Sequence, residues 1–271
     1  MMTDGHRISL ASGIMPGAGP VATVEAAIAG GFDAVGLWVE PPHWSAMTTR
    51  EIKSLLASSG IGVLDVEVIW IRPGPFDFDH LRIIDIGADV GSPNALVVSS
   101  DPDRSATIDK YAKICEHALA ANMRASFEFA PFTDVPALAD ALSIIDAVGL
   151  ASSGLLVDPL HLSRSGGTPR DLERIPKSLF SYAQFCDASN DWHRGADRVA
   201  IRQEAIDDRR CPGEGGLPLS DLLKVLPPAI SLSVEVRSKY LRDRFTDYNE
   251  RAKLVARITR DWLERERRRT E

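Results

Sequence analysis

Eight short apolar segments recur along the chain, and most are followed by a stretch with the period or composition of a helix. We predict strands at residues 7–15, 33–39, 62–71, 95–99, 124–130, 154–158, 180–186 and 230–236. We predict helices at residues 21–30, 48–59, 78–90, 108–119, 135–147, 169–175, 219–226 and 242–268. The pair Thr48-Thr49 can cap the second of these helices. Strands that alternate with helices favour a parallel sheet of the α/β class, and eight such units predict a (β/α)8 TIM barrel.

The main competing arrangement is a doubly wound open sheet, which binds dinucleotides at a glycine-rich turn after its first strand. Residues 15–19 contain two glycines, but Pro20 stands where that fingerprint requires the helix to continue. The barrel is therefore the favoured fold. Because barrels of this length routinely form one domain and the sequence has no linker or repeat, we predict a single domain over residues 1–271.

The charge balance and the cysteines limit the classes of function. The chain has 31 basic and 38 acidic residues, which argues against a nucleic-acid partner. No apolar run approaches the roughly 20 residues of a membrane helix, and the first seven residues lack the apolar core of a signal peptide. Cys115, Cys186 and Cys211 are odd in number and widely spaced, so we expect no disulfide framework and a reduced, cytoplasmic location.

Oxygen-bearing side chains stand near the ends of four consecutive predicted strands. They are Glu128, Asp158, Gln184 and Glu235. In a barrel these strand ends converge on the face that holds the active site, and three carboxylates there repel one another unless a cation neutralises them. Hard oxygen ligands suit Mn²⁺, Mg²⁺ or Co²⁺, and Zn²⁺ tolerates mixed ligands. We therefore predict a divalent metal site; the alternative is that the acids cap helices or pair with arginines.

Further residues near the strand ends are candidates for contact with a sugar-sized, oxygen-rich substrate. His161 follows Asp158 by three residues, in a predicted loop over the site, where it could hydrogen-bond to a substrate oxygen or make only a structural bond. Asp187 could support the site or open the long polar segment 187–216. Within that segment Arg210 precedes a glycine-rich stretch that could present backbone amides and one cation.

Aromatic side chains also stand at the ends of the second and third predicted strands. Trp38 and Trp70 could form the wall of a ligand site, although packing at the rim is the simpler role for each. Glu67 lies among apolar residues of the third strand and points either into the barrel or towards a partner.

Several of these residues belong to motifs of a known family. The motifs are residues 27–37 (AIAGGFDAVGL), Phe127-Glu128, Asp158-Pro-Leu-His161, Gln184-Phe-Cys-Asp187, Pro212-Gly-Glu-Gly215 and Val234-Glu235-Val-Arg237. Through them the chain resembles the xylose isomerase-like TIM barrel superfamily, also described as the sugar phosphate isomerase/epimerase family, over nearly its full length. The resemblance implies that Glu128, Asp158 and Glu235 bind the metal and that Gln184 takes the fourth ligand position, where keto-sugar epimerases usually have histidine. It also implies that Glu128 and Glu235 are the catalytic acid and base, and it adds Arg237 to the candidate substrate contacts.

The function implied by the resemblance is that of a metal-dependent isomerase or epimerase. It would act on a keto sugar or sugar phosphate, or a similar polyol, by removing a proton next to a carbonyl through an enediolate. The alternative is a dehydratase of the 3-dehydroshikimate or inosose type, because Gln184 departs from the epimerase pattern. Less favoured readings are an abasic-site endonuclease of the endonuclease IV type and a non-catalytic sugar-binding barrel. Family members are often homo-oligomers, so we also expect a dimer or tetramer.

Overall fold

Eight parallel strands form the centre of the molecule in the computed structural model, which describes residues 5–190 and 197–270. The strands are β1 (Ile8–Leu10), β2 (Ala34–Trp38), β3 (Gly62–Ile71), β4 (Asn94–Ser99), β5 (Arg124–Glu128), β6 (Ser153–Leu156), β7 (Tyr182–Phe185) and β8 (Ser231–Val234). Their order in the sheet is β6-β5-β4-β3-β2-β1-β8-β7. The two outer strands meet where the amide of Gln184 donates to the carbonyl of Val157 at 3.0 Å. The predicted (β/α)8 TIM barrel is therefore confirmed.

Helices lie between the strands and after the last one. They are α1 (Pro20–Gly30), α2 (Ala46–Ser59), α3 (Asp79–Asp89), α4 (Arg104–Ala120), α5 (Leu138–Val148), α6 (Pro159–Arg164), α7 (Arg198–Asp207), α8 (Leu219–Val225), α9 (Lys239–Arg244) and α10 (Tyr248–Thr270). Among the described residues, no helix is both long and apolar enough to cross a bilayer.

Local side chains determine where several of these helices begin. Asp103 caps α4, because its carboxylate accepts from the amides of Ser105 and Ala106. The expectation that the pair Thr48-Thr49 caps the second helix is wrong. Ser45 is the cap there, and its hydroxyl accepts from the amide of Thr48, so the helix begins two residues earlier than predicted.

Three other sequence predictions differ from the structure because tertiary contacts override local pattern. The strand predicted at 7–15 ends at Leu10, and residues 12–14 form a 3-10 turn in which the amide and hydroxyl of Ser12 both donate to Glu67. The helix predicted at 242–268 is divided into α9 and α10, and Arg251 donates to the carbonyl of Phe245 between them. The polar segment 187–216 contains α7, which was not predicted.

The barrel separates two cores. The outer faces of the strands and the inner faces of the helices form one large apolar cluster, and a smaller cluster including Leu96 and Leu156 fills part of the interior. The interior is also partly polar. Ser233 pairs in register with Gln184 on one side and Ser9 on the other, so all three side chains point inwards. The barrel below the strand ends is therefore more polar than the aliphatic layers usual in this fold.

One buried hydrogen bond links α4 to the sheet and generates a stability prediction. The hydroxyl of Tyr111 donates to the carbonyl of Ala125 at 2.7 Å, and the ring is fully buried against Phe127. We expect Tyr111→Phe to lower the free energy of unfolding by about 1 kcal/mol, because a buried carbonyl loses a donor. Urea unfolding measures this loss. Tyr240→Phe is the matched control, since Tyr240 is 67% exposed; equal losses in both variants would contradict the assignment.

Candidate active site

The four oxygen-bearing residues predicted from the strand ends lie together in the structure. Glu128 ends β5, Asp158 follows β6, Gln184 lies in β7 and Glu235 follows β8. Each is at least nine-tenths buried. One terminal atom of the Gln184 amide lies 3.1 Å from Glu128 Oε1, 2.7 Å from Asp158 Oδ2 and 2.6 Å from Glu235 Oε2. Three carboxylates therefore converge on one amide group.

The chemistry of this donor set fits a divalent cation. As an amide nitrogen, the Gln184 atom has two hydrogens and cannot donate to three carboxylates at once. As an amide oxygen, it completes a set of four oxygens of the kind that hard cations prefer. Ligand atoms of Glu128, Asp158 and His161 also lie within 4.8 Å of one another. Within the described part of the chain, Glu128 has no arginine or lysine within ion-pair distance, so its charge is the least compensated of the three.

Arg209 lies among the acids of the site, although the sequence pattern did not single it out. Its guanidinium forms ion pairs with Asp158 and, at 3.0 Å, with Glu235, and Nη2 lies 3.4 Å from His161 Nε2. Its Nε donates to the carbonyl of Ala205 at 2.8 Å, which fixes the side chain in the buried site. The alternative reading in which the acids pair with arginine thus applies to two of them.

A simple signal could have found this residue. Arg210 forms an isolated antiparallel bridge with Asp187, and in extended backbone adjacent side chains point to opposite sides. Arg210 is exposed, and its guanidinium donates to the carbonyl of Glu214 at 3.3 Å. Its neighbour Arg209 consequently points inwards. The signal in the sequence is the pair of consecutive arginines, because in extended backbone only one of the two can face the site.

The acids of the site differ in their affinity for protons. Burial and the charges of Asp158 and Glu235 raise the pKa of Glu128 well above its usual range. Burial also raises the pKa of Glu235 to about 7, against the opposing effects of Arg209 and Arg237. Burial acts in the same direction on Asp158, but Arg209 and His161 overcome it and lower the pKa. Asp158 is thus the acid held ionised, and the two glutamates are the groups that can take up protons.

His161 lies in a helix rather than in the predicted loop, so that expectation is wrong. Asp158 caps α6 by accepting from the amides of Leu160 at 2.7 Å and His161 at 3.2 Å, and Pro159 occupies the first helical position. The His161 ring packs edge-on against Phe132 and lines the cavity. Burial lowers its pKa to about 4, so the ring is neutral. Its Nδ1 has no partner in the described part of the chain.

Asp187 holds the glycine-rich loop in place. Its Oδ1 accepts from the amides of Ala188 and Leu217, and its Oδ2 accepts from those of Gly213 and Gly215, each at 2.8–3.0 Å. All four contacts are backbone amides, and the carboxylate is 2% exposed. Neither Asp187 nor Arg210 lines the cavity, so the structure does not bring these two predicted substrate contacts to the acids.

The acids open onto a cavity of about 150 Å³. Its walls include Trp38, Trp70 and Arg237, which are candidate substrate contacts from the sequence. Glu67 also lines the cavity and points into the barrel. Trp70 donates its ring N–H to Ser100 at 2.9 Å, whereas Trp38 is 42% exposed. The aromatic walls, the histidine and the acids together form a site suited to a small polar molecule.

The sequence places this fold and site within a known family. A family model described as xylose isomerase-like TIM barrel matches residues 24–263. The chain belongs to this family. The resemblance inferred from the motifs is therefore confirmed. A search of curated proteins found no significant match.

Solved structures with the same fold include several differently named proteins. The IOLI protein, determined with a bound zinc atom, has a TM-score of 0.77 at 13% identity, over 94% of this chain and 96% of that one. D-psicose 3-epimerase from Clostridium cellulolyticum H10, determined with D-tagatose, has a TM-score of 0.70 at 13% identity, over 95% and 99%. A xylose isomerase-like TIM barrel/4-hydroxyphenylpyruvate dioxygenase fusion protein has a TM-score of 0.77 at 20% identity. The match covers 97% of this chain but only 45% of the fusion protein.

The raised pKa of Glu235 generates a prediction for the metal-free protein. A carboxyl that binds its proton more tightly when folded makes the free energy of unfolding fall as pH rises. For Glu235 that fall lies between its usual value of 4.5 and about 7. We expect Glu235→Gln to reduce this fall, measured by urea unfolding in EDTA at several pH values. Glu51→Gln, at an exposed position of α2, should leave it unchanged, and parallel curves for all three proteins would refute the prediction.

Proposed function

We propose that this protein is a divalent-metal-dependent isomerase or epimerase that acts on a keto sugar, a sugar phosphate or a similar polyol. The observation that carries the proposal is the convergence of Glu128, Asp158 and Glu235 on the Gln184 amide, with all contacts between 2.6 and 3.1 Å. The site opens into a cavity at the end of the barrel where enzymes of this fold place their active sites.

The three carboxylates and the Gln184 oxygen would hold the cation, with His161 beside them. When bound, a divalent ion polarises a carbonyl oxygen and lowers the barrier to removal of a proton from the adjacent carbon. The oxygen-rich ligand set favours Mn²⁺ or Mg²⁺, and Co²⁺ or Zn²⁺ is compatible with it.

Glu128 and Glu235 are the acid and base in this proposal. They lie on different strands of the site, and burial raises the pKa of both in the metal-free site, that of Glu235 to about 7. Asp158 is paired with Arg209 and serves only to bind. One glutamate removes the proton next to the carbonyl, and the same or the other glutamate returns it. Return to the opposite face gives epimerisation, and return to the neighbouring carbon gives isomerisation.

Gln184 favours a second candidate reaction. The keto-sugar epimerases that the sequence resembles usually have histidine at this position, and some dehydratases of the superfamily resemble this chain there. With the same base, loss of a hydroxyl from the carbon beyond the enediolate gives dehydration. His161, whose Nδ1 is unpaired within the described residues, would be placed to contact the departing oxygen.

Metal binding is the first test. We expect the purified protein to bind about one Mn²⁺ per chain after dialysis, measured by elemental analysis and titration calorimetry. Glu128→Gln should weaken this binding by about tenfold or more, because it removes a charged ligand. Glu51→Gln is the control at an exposed site. Absence of any bindable divalent ion in the folded wild-type protein would refute the metal-dependent function.

Solvent exchange tests the reaction. In D₂O, we expect deuterium to enter the carbon next to the carbonyl of at least one keto sugar, inosose or 3-dehydroshikimate, followed by NMR. Exchange with all hydroxyls retained supports the isomerase or epimerase, whereas loss of water supports the dehydratase. Glu235→Gln should abolish exchange while circular dichroism shows an intact fold. Full exchange in that variant would refute the role given to Glu235.

A further inference from the structure

A second cavity of about 500 Å³ adjoins the catalytic one. Residues 12–13 and 15–20, from the turn and loop after β1, form one wall, and side chains beyond β2, including His43 and Trp44, form another. Trp38 and Arg237 line both cavities. The catalytic cavity, at about 150 Å³, is smaller than the roughly 300–1,000 Å³ typical of small-molecule sites. The two spaces therefore form one elongated site with Trp38 and Arg237 at the junction.

Arg237 has binding capacity that the protein does not use. Its Nη1 lies 3.9 Å from Glu235 Oε1, beyond hydrogen-bond distance. Its Nε is buried and has no partner in the described part of the chain. The Arg237 side chain nevertheless keeps 27% of its surface exposed and lines both cavities, so a ligand there can reach it.

The position of Arg237 is fixed by the turn after β1. A Cβ added at Gly13 would lie 3.0 Å from Arg237 Cγ and Cδ and 2.8 Å from Glu235 Oε1. The glycine therefore lets the turn pack directly against the stem of this arginine and against the catalytic acid. A side chain held in this way loses little further entropy when its guanidinium binds a ligand.

The chemistry at the junction favours an anion attached to an apolar or ring-shaped body. The planar guanidinium matches the two oxygens of a carboxylate or phosphate. Trp38 is 42% exposed and can pack against the C–H face of a sugar. Glu40 is the acid in the second cavity, and its carboxylate is already engaged by Trp38 at 3.3 Å and His43 at 3.1 Å.

The other two arginines of the catalytic cavity are less suited to this role. Arg209 is engaged by Asp158 and Glu235. Arg202 lines the catalytic cavity but not the second one. Arg237 is the arginine that reaches both spaces.

We propose that Arg237 binds a carboxylate or phosphate on the non-reacting part of the substrate and that this part extends into the second cavity. The substrate is then an acidic sugar or polyol derivative rather than a neutral one. This inference rests on the proposed function in one respect, because that function places the reacting end of the substrate at the acids.

Binding of three matched probes tests the proposal without requiring turnover. The probes are gluconate, glucitol 6-phosphate and neutral glucitol, titrated by calorimetry into the Mn²⁺-treated full chain at constant ionic strength. We expect at least one acidic probe to bind about tenfold or more tightly than glucitol. Whether gluconate or glucitol 6-phosphate binds more tightly shows whether the site prefers a carboxylate or a phosphate. Arg237→Met should remove the preference, so that the acidic probes bind no more tightly than glucitol. Arg257→Met, at an exposed position of α10, is the control and should keep the preference.

Other variants keep the test decisive. Arg237→Lys retains the charge without the planar fork, so it should fold and show a several-fold smaller preference even where Arg237→Met does not fold. Trp38→Ala should weaken all three probes. Equal binding of acidic and neutral probes to the wild-type protein overturns the proposal. A preference for the acidic probe that survives in both Arg237 variants overturns it as well. So does a preference that is lost in Arg202→Met but kept in the Arg237 variants. An Arg237-dependent preference in a protein without metal binding or exchange would refute the proposed reaction but not this anion site.

Discussion

The structure of this site depends on how buried negative charge is compensated. Glu128, Asp158 and Glu235 meet inside the barrel, where the effective dielectric constant is low and like charges repel strongly. Arg209 neutralises part of this charge at Asp158 and Glu235, and the Gln184 amide joins all three acids. The charge that remains must be balanced by protons or by a cation. The same imbalance that makes the site costly for folding is the physical basis of the metal binding and proton transfer proposed for it.

Several buried hydrogen bonds on this face of the barrel fix the positions of the site residues. Asp158 is at once a site acid and the cap of α6, so the helix and the carboxylate fix each other's position. Asp187, three residues beyond Gln184, holds the glycine-rich loop through four backbone amides. That loop follows directly after Arg209, and the Asp187–Arg210 bridge sets the direction in which Arg209 points. Residues that touch no substrate thus determine the geometry of those that could.

The two cavities suggest how chemistry and specificity are divided in this family member. In the proposed function, the acids form the reactive centre. The turn after β1 and the segment after β2 form a separate wall, with Trp38 and Arg237 at the boundary. Changes in the segment after β2 would alter the wall of the second cavity without disturbing the acids, which is how barrels of this fold generally diversify. The turn after β1 is more constrained, because Gly13 packs against Glu235.

The sequence by itself determined the barrel and the four site residues. Alternation of apolar segments with helical ones is a local pattern, and in a barrel the strand ends must converge, so Glu128, Asp158, Gln184 and Glu235 could be placed together from their positions alone. Only the tertiary structure decided that Arg209 rather than Arg210 enters the site, that Asp187 holds a loop, and that His161 lies in a helix. These outcomes depend on hydrogen bonds and ion pairs between residues distant in sequence, such as the pair of Arg209 with Asp158. No local periodicity encodes such contacts, because they exist only once the barrel has brought its strand ends together.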